Sequence, residues 1–532
     1  MGRYLNPRNT VFKEKLASEI YIDKSKLIDE LNKHVCRDKK FIANTRPRRF
    51  GKSMNLQMIA AYYNLAQDSH ALFEGSEISK CKSYETYINK FDVLWLDILC
   101  LIDRKKKTEQ LHLIEKMEQL IVEDIKESYG QYIQEDSTSV MAVLDDINRA
   151  TGKQFVILMD EWDAIFRLYK GDTALHKEYI NFLRSLFKGS AADEVVALAY
   201  ITGILPIKKY GTESALNNFS EYTMLDADFM SPYVGFTEKE VKDLCTDYHV
   251  DFDQVQSWYN GYYLNGIAVY NPNSVVNACS RGRCKNYWTQ TETFESLRDY
   301  ILMDFDHLYD KVLTLFSGAH LYVETDTFTN SLLDIRSEDD VLTLLVHLGY
   351  LAYDEDAQEV FIPNKEVMDR FKSAIKMAWS KVKEALDESR ALLSATLSMD
   401  AETVADILEK AHEGTCSMIK YNDENSLACA LSIAYYSARD EYLMTRELAT
   451  GKGFADIVLL PRKNVNKPAI IVELKYKKSA QGAIEQIKKR NDPAFVAQYT
   501  GEILLVEVNY ESDSKSENYK KHSCVIEKYN LD

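Results

Sequence analysis

The sequence predicts an α/β chain. A mainly parallel, helix-covered sheet fills the first half, a largely helical region follows, and a second, smaller α/β unit closes the chain. Three observations predict it. Short apolar runs of strand type alternate with amphipathic stretches up to about residue 275. From about 276 to 400 the apolar spacing is mostly helical. Strand-type runs then return beyond residue 440. Alternating strands and helices imply parallel pairing, because each return to the sheet needs a crossover.

In the first domain (1–275) the strand-type runs are FIANT (41–45), VLWLDIL (93–99), FVILMD (155–160), VVALAYIT (195–202) and YTMLD (222–226). Amphipathic stretches such as TEQLHLIEKMEQLIVEDI (108–125) lie between them. In the middle region (276–416), DDVLTLLVHLGYLAYDEDAQEVFIPN (339–364) reads as a helix, a strand, an acidic turn and a second strand. That is the outline of a winged-helix segment, and its acidic wing favours packing between domains over DNA reading. The last domain (417–532) reads as a helix (424–437), strands EYLMTREL (441–448), FADIVLLP (454–461) and AIIVELKY (469–476), a helix (480–490) and the strand EILLVEVNY (502–510).

With 46% hydrophobic and 28% charged residues over 532 positions, the chain has a globular composition and room for several cores. No apolar run reaches the ~18 residues that span a bilayer. The start, MGRYLNPRNTVFKEK, lacks the apolar core of a signal peptide, and a cytoplasmic protein is expected. The nine cysteines are scattered, and Cys279 and Cys284 have no second pair to complete a zinc site, so reduced thiols are expected. A net charge of −17 argues against a chain that coats nucleic acid. One segment departs from this: residues 451–490 carry ten Lys/Arg against three acids, which suggests a single anion-facing site.

Two motifs carry chemistry in the first domain. TRPRRFGKS (45–53) follows the FIANT strand and precedes the helix-forming SMNLQMIAAYYNLA. Strand, Gly-Lys-Ser and helix stand in the order of a Walker A phosphate-binding loop, with Arg46 where the first glycine belongs. The helix N-terminus offers N–H groups to phosphate, Gly51 permits close approach, Lys52 reaches the β- and γ-phosphates and Ser53 holds Mg²⁺. FVILMDEWD (155–163) has the Walker B form: Asp160 ends an apolar strand and binds the metal through water, and Glu161 polarises the attacking water. The cofactors expected here are ATP and Mg²⁺.

A third constellation lies in GKGFADIVLLPRKNVNKPAIIVELKYKK (451–478). Asp456 precedes one apolar run, and Glu473 and Lys475 sit two apart on the next, hence on one face of a strand. Two carboxylates and a lysine on one sheet face can hold Mg²⁺ or Mn²⁺ at Asp456 and Glu473 and let Lys475 position the attacking water. The surrounding lysines suit a phosphate-rich substrate. The competing reading is a salt bridge on an ordinary hairpin.

The chain resembles a bacterial family of AAA-ATPase-like proteins that carry a C-terminal PD-(D/E)XK nuclease-type domain. The resemblance rests on YIDKSKLIDEL (21–31), RPRRFGKS (46–53), LMDEWDAI (158–165), ITGILPI (201–207), GFTEKEV (235–241), WYNGYYL (258–264), YNPNSV (270–275), YWTQT (287–291), LGYL (348–351) and IPNKEV (362–367). It implies an ASCE/AAA-like P-loop NTPase sheet and a restriction-endonuclease-like C-terminal domain. In such a family Arg46 is a trait of the loop. Thr202 would be a polar sensor, and Glu424 and Gln486 would add polar groups to the nuclease site, as Glu447 and the GKG stretch do to its motif. Arg48 and Arg49 would stabilise phosphate charge or pair with a neighbouring domain. Two departures stand out: Ala455 replaces a proline and Phe454 a polar residue, neither of which holds metal.

The expected function is an ATPase coupled to metal-dependent phosphodiester hydrolysis of nucleic acid, DNA first, in defence or control of mobile elements. The alternative is a signalling-type NTPase switch whose nuclease fold only docks nucleic acid or protein. No membrane partner is expected. A homo-oligomer stays open, with Arg167 and Arg184 as candidates for an arginine reaching a neighbour's site.

Overall fold

The computed structural model describes residues 2–102, 112–207, 216–288, 295–303, 305, 307–326, 328, 335–415, 424–446, 457–462, 465–476, 502–511, 515, 517 and 521–529. The chain divides into two compact units, Met1–Glu292 with Tyr322–Val367, and Thr293–Leu321 with Met368–Asp532. No helix among the described residues is long and apolar enough to cross a membrane.

The first unit is built on a parallel sheet of β1 (Phe41–Thr45), β2 (Asp92–Asp97), β3 (Phe155–Asp160), β4 (Val196–Gly203) and β5 (Ser220–Tyr222), in the order β2-β3-β4-β1-β5. The strands read as unbroken apolar runs because both faces are covered. On β3, Phe155, Ile157 and Met159 enter one core and Val156 and Leu158 the other. The strand order has a consequence for chemistry: β4 lies between the loop-bearing β1 and the acid-bearing β3. This is the ASCE/AAA-like P-loop arrangement.

The expected YTMLD strand is displaced. β5 ends at Tyr222, and its partner residues on β1 are Ile42, Ala43 and Asn44. Thr223 stops it: its hydroxyl accepts from the Leu225 and Asp226 amides, and its own amide donates to Asp226 O. Local side-chain bonding of this kind turns the backbone out of the ladder.

Beyond the sheet come β6 (Phe236–Thr237), β7 (Tyr262–Leu264) and β8 (Ile267–Tyr270), paired in the order β6-β8-β7. β9 (Leu321–Tyr322), β10 (Ala352–Asp354) and β11 (Glu359–Phe361) form a small sheet in the order β10-β11-β9. The stretch 339–364 folds as helix, strand, turn and strand, with the helix at Glu338–Leu348 capped by the Ser337 hydroxyl. Gly349 ends that helix at φ +84, and a Cβ there would lie 2.7 Å from the Cβ of Pro47 in the phosphate loop.

The second unit holds the helices Ser380–Leu397, Ala401–Thr415 and Glu424–Ala434. Its mixed sheet comprises β12 (Tyr442–Arg446), β13 (Ile457–Pro461), β14 (Ala469–Tyr476), β15 (Ile503–Tyr510) and β16 (His522–Tyr529), in sequence order. Only β14 and β15 are parallel, and every other pair is antiparallel. The helix expected at 480–490 lies outside the described residues. β16 is a strand that the sequence reading missed.

Two buried histidines give each unit an acid-sensitive point. His347 is 1% exposed, and neither ring nitrogen has a hydrogen-bond partner among the described residues. Burial, then the Arg46 charge, pushes it down to about 3. Burial, then His412, pushes His522 down to about 3. A histidine whose folded value lies below its unfolded one stabilises the fold above the unfolded value. That stability is lost as pH falls from about 6.5 towards 3, at about 1.4 kcal/mol per pH unit for each ring. The acid limb of a melting-temperature profile should therefore be shallower in His347→Leu than in wild type. An unchanged limb would mean that His347 is protonated inside the fold.

Candidate nucleotide and metal sites

The phosphate loop runs from the end of β1 to the Lys52–Tyr63 helix. Arg49 at φ +70 and Gly51 at φ +90 supply its tight curvature. Arg46 stands where a glycine was expected, and its side chain turns inward. It is 0% exposed, and its Nη1 donates to Thr45 O at 2.8 Å and Thr223 O at 2.9 Å. Burial presses its charge down to about 10, with Tyr200 and Asp226 opposing. Its amide donates to Gly203 O at 3.1 Å. Arg46 therefore fastens the loop's entry to the chain just after β5 and to the end of β4. Arg48 and Arg49 are exposed on the loop's outer side.

Lys52 is buried, and its Nζ donates to Arg46 O and Pro47 O, both at 2.9 Å. Burial lowers its affinity for the proton, while Glu161, Asp160 and Asp163 raise it. Ser53 is exposed on the first helical turn. Its hydroxyl lies near Asp160, which is 4% exposed at the end of β3, and favours that carboxylate's charged form. Burial, with Glu161 and Asp97 adding to it, pushes Asp160 up to about 6 against the opposing Ser53 hydroxyl and Lys52 charge. A hydroxyl and a carboxylate are hard oxygen donors of the kind Mg²⁺ takes. The sheet thus brings Lys52, Ser53 and Asp160 together from positions about 100 residues apart.

Glu161 has a left-handed backbone, φ +51, and its carboxylate is paired with Arg167. Arg167 also donates from Nε to Asp163 Oδ2 at 2.9 Å. Burial opposes its charge, and Asp163 and Glu161 together outweigh burial. Arg167 is thus engaged with Glu161 and Asp163 of its own chain. Arg184 is half-buried on the Thr173–Phe187 helix. Thr202 is 1% exposed and spends its hydroxyl on Asn44 O at 2.7 Å, tying β4 to β1. The pairing of Glu161 has a testable consequence. Arg167→Ala frees a carboxylate while Asp163 keeps its bonds from the Ile204 and Leu205 amides. ATP turnover should rise about 2- to 10-fold with KM unchanged. A fall in turnover would make Arg167 a contributor to the reaction.

A cleft of about 420 Å³ opens beside Gly51. Tyr21, Ile22, Phe50, Met54, Tyr233 and Phe236 are among its walls. Sequence reasoning did not find this cleft. The signal was present in YIDKS and GFTEKEV, which supply opposite walls.

In the second unit Glu473 lies on β14, 2% exposed. Its partner in the parallel register is Glu507 on β15, 0% exposed, so both acids belong to one face. Sequence reasoning missed Glu507, whose signal was one acid inside the apolar run ILLVEVNY. Lys475 is two residues further along β14. Glu424 opens the Glu424–Ala434 helix. Asp456 and Gln486 lie outside the described residues. Asp456 immediately precedes β13, whose first residue, Ile457, pairs with Val472 next to Glu473. Among the described residues no three His, Cys, Asp or Glu side chains gather as a metal cluster. Glu473 itself is an oxygen donor suited to Mg²⁺ or Mn²⁺.

Comparison with known proteins identifies both domains. Residues 12–212 match the AAA-ATPase-like family, described as predicted AAA-ATPases, and residues 422–520 match the PD-(D/E)XK nuclease superfamily. An uncharacterised protein from the vnfD 5′ region of Azotobacter chroococcum mcd 1 is 26% identical over 265 residues. The match covers 48% of each protein, so the chain spans about half the length of this relative. A structure of the Aeropyrum pernix ORC2 protein, described as ADPNP-ADP complexes, aligns over 68% of this chain and 98% of that one. Its identity is 10% and its TM-score 0.30, and the fold assignment rests on strand order instead. The chain carries an AAA-ATPase-like P-loop domain and, at its C-terminal end, a domain of the PD-(D/E)XK nuclease superfamily.

Proposed function

We propose that the first domain binds and hydrolyses ATP with Mg²⁺, and that its nucleotide state governs metal-dependent hydrolysis of DNA phosphodiester bonds by the C-terminal domain. The observation that carries the first half is the placement of Lys52 and Ser53, on the helix that follows β1, beside Asp160 at the end of β3 in an ASCE-ordered sheet. In this reading Lys52 exchanges the loop carbonyls for phosphate oxygens. Ser53 and Asp160 hold the cation, which neutralises phosphate charge when bound. Glu161 orients the attacking water once it leaves Arg167. In the same reading Arg48 and Arg49 are assigned to meet phosphate, and the apolar cleft beside Gly51 takes the base.

For the C-terminal half, Asp456 and Glu473 hold the metal and Lys475 positions water, with Glu424 and Gln486 as outer polar groups. Support comes from the family match and from the burial of Glu473 beside Glu507. Thr202, tied to Asn44, acts by holding β4 in place. A cytoplasmic setting in control of foreign or mobile DNA belongs to the same proposal, as does assembly in which Arg184 reaches another copy. One observation favours the slower, switch-like alternative: the Glu161 carboxylate is neutralised by Arg167.

The test is cleavage of linear, circular and single-stranded DNA by the full chain, with and without ATP, in Mg²⁺ or Mn²⁺. Metal-dependent cleavage supports the reading. Nucleotide hydrolysis with no cleavage of any substrate supports the switch.

A further inference from the structure

The cleft beside the phosphate loop has two walls that come from distant parts of the sequence. One is the 20–22 stretch, and the other passes through Tyr233, Gly235 and Phe236. Lys24 joins them. It is 5% exposed, and its Nζ donates to Pro232 O at 2.8 Å and to Glu240 Oε1 and Oε2 at 2.7 and 2.6 Å. Glu240 also accepts from the Thr237 amide at 2.7 Å, which closes the capping box that starts the Glu238–Asp247 helix. The second wall is rigid where it meets this strut. Gly235 has φ +107, and a Cβ there would lie 2.3 Å from Val269 Cγ1, so the turn that delivers Phe236 has one course. From the floor of the cleft, Asn55 Nδ2 donates to Tyr233 O at 2.9 Å.

An ammonium has three protons to donate. Those of Lys24 are directed at Pro232 O and the Glu240 carboxylate, so Lys24 borders the cleft without offering it a donor. We infer that Lys24 and Glu240 are positioning residues for nucleobase recognition: the pair fixes the separation of the two walls, and with it the width of the slot that admits a purine. This rests on the reading of the cleft as the base site. The phosphate loop keeps its own fastenings, Arg46 to Thr223 O and Lys52 to Pro47 O, none of which passes through the strut. Loss of the Glu240 charge leaves the buried Lys24 ammonium uncompensated, and loss of Lys24 takes the counter-charge from a partly exposed carboxylate; either change loosens the tie between the walls. The phosphate contacts should be spared.

The experiment compares binding of Mg²⁺-ATP and Mg²⁺-tripolyphosphate to the full chain by calorimetry. Wild type should favour ATP. Lys24→Met and Glu240→Gln should lose about tenfold in ATP affinity and keep tripolyphosphate affinity. Lys24→Arg, which keeps the charge, should restore most of the ATP affinity. If Lys24→Met does not fold, Glu240→Gln, which keeps the shape of the side chain, makes the comparison. Unchanged ATP affinity in both variants would overturn the inference, and so would an equal loss for both ligands. Wild type binding the two ligands equally would overturn the base-site reading beneath it. A wild type that discriminates, with variants that do so equally well, would overturn the strut alone.

Discussion

Glu473→Gln should reduce metal-dependent DNA cleavage by about 1,000-fold or more, equivalent to about 4 kcal/mol of transition-state stabilisation, and leave ATP hydrolysis intact. The substitution keeps the shape of the side chain and removes a charge that metal needs. Glu473 is 2% exposed beside Glu507, which is 0% exposed. Two carboxylates on adjoining strands repel each other in a low-dielectric interior. Neutralising one should therefore hold or raise the melting temperature, while Mn²⁺ binding measured by calorimetry falls. That combination separates loss of metal from loss of fold. Full cleavage by the variant would remove Glu473 from the site, and a large drop in melting temperature would recast it as a structural residue.

Lys52→Ala should abolish ATP hydrolysis and weaken ATP binding by about 100-fold. The amine is buried, faces Asp160 and Glu161, and holds the carbonyls of Arg46 and Pro47. Its removal strips the loop of its one ammonium and leaves two carbonyls to find other donors, at about 1–3 kcal/mol. Lys52→Met fills the same space and checks that the loss is of charge. ATP hydrolysis that survives both variants would show that phosphate is bound elsewhere.

The first sheet was largely legible because parallel strands buried on both faces write themselves as apolar runs. FVILMD is β3 to the residue, and FIANT is β1. YTMLD misled because its apolar composition masks the Thr223 turn, which is set by side-chain bonding and not by hydropathy. β16 (HSCVIEKY) was missed because polar residues interrupt its apolar ones, and it is an edge strand with one neighbour.

The stretches GKS and DE were readable as local motifs. Their pairing was not. That Arg167 closes on Glu161, that Arg46 turns away from the loop and that Thr202 serves β1 all depend on which strands are neighbours. The cleft beside Gly51 joins positions near 20 with positions near 235, a separation no local pattern reports. Glu507 became visible beside Glu473 only through the parallel register of β14 and β15.

The central claim is that nucleotide in one domain governs cleavage in the other. Its most direct measurement is the ratio of DNA cleavage rates with and without ATP, at saturating Mg²⁺, in wild type and Lys52→Ala. ATP should change the wild-type rate by about tenfold or more and leave that of Lys52→Ala unchanged. Equal rates with and without ATP in a wild-type enzyme that hydrolyses ATP would contradict it.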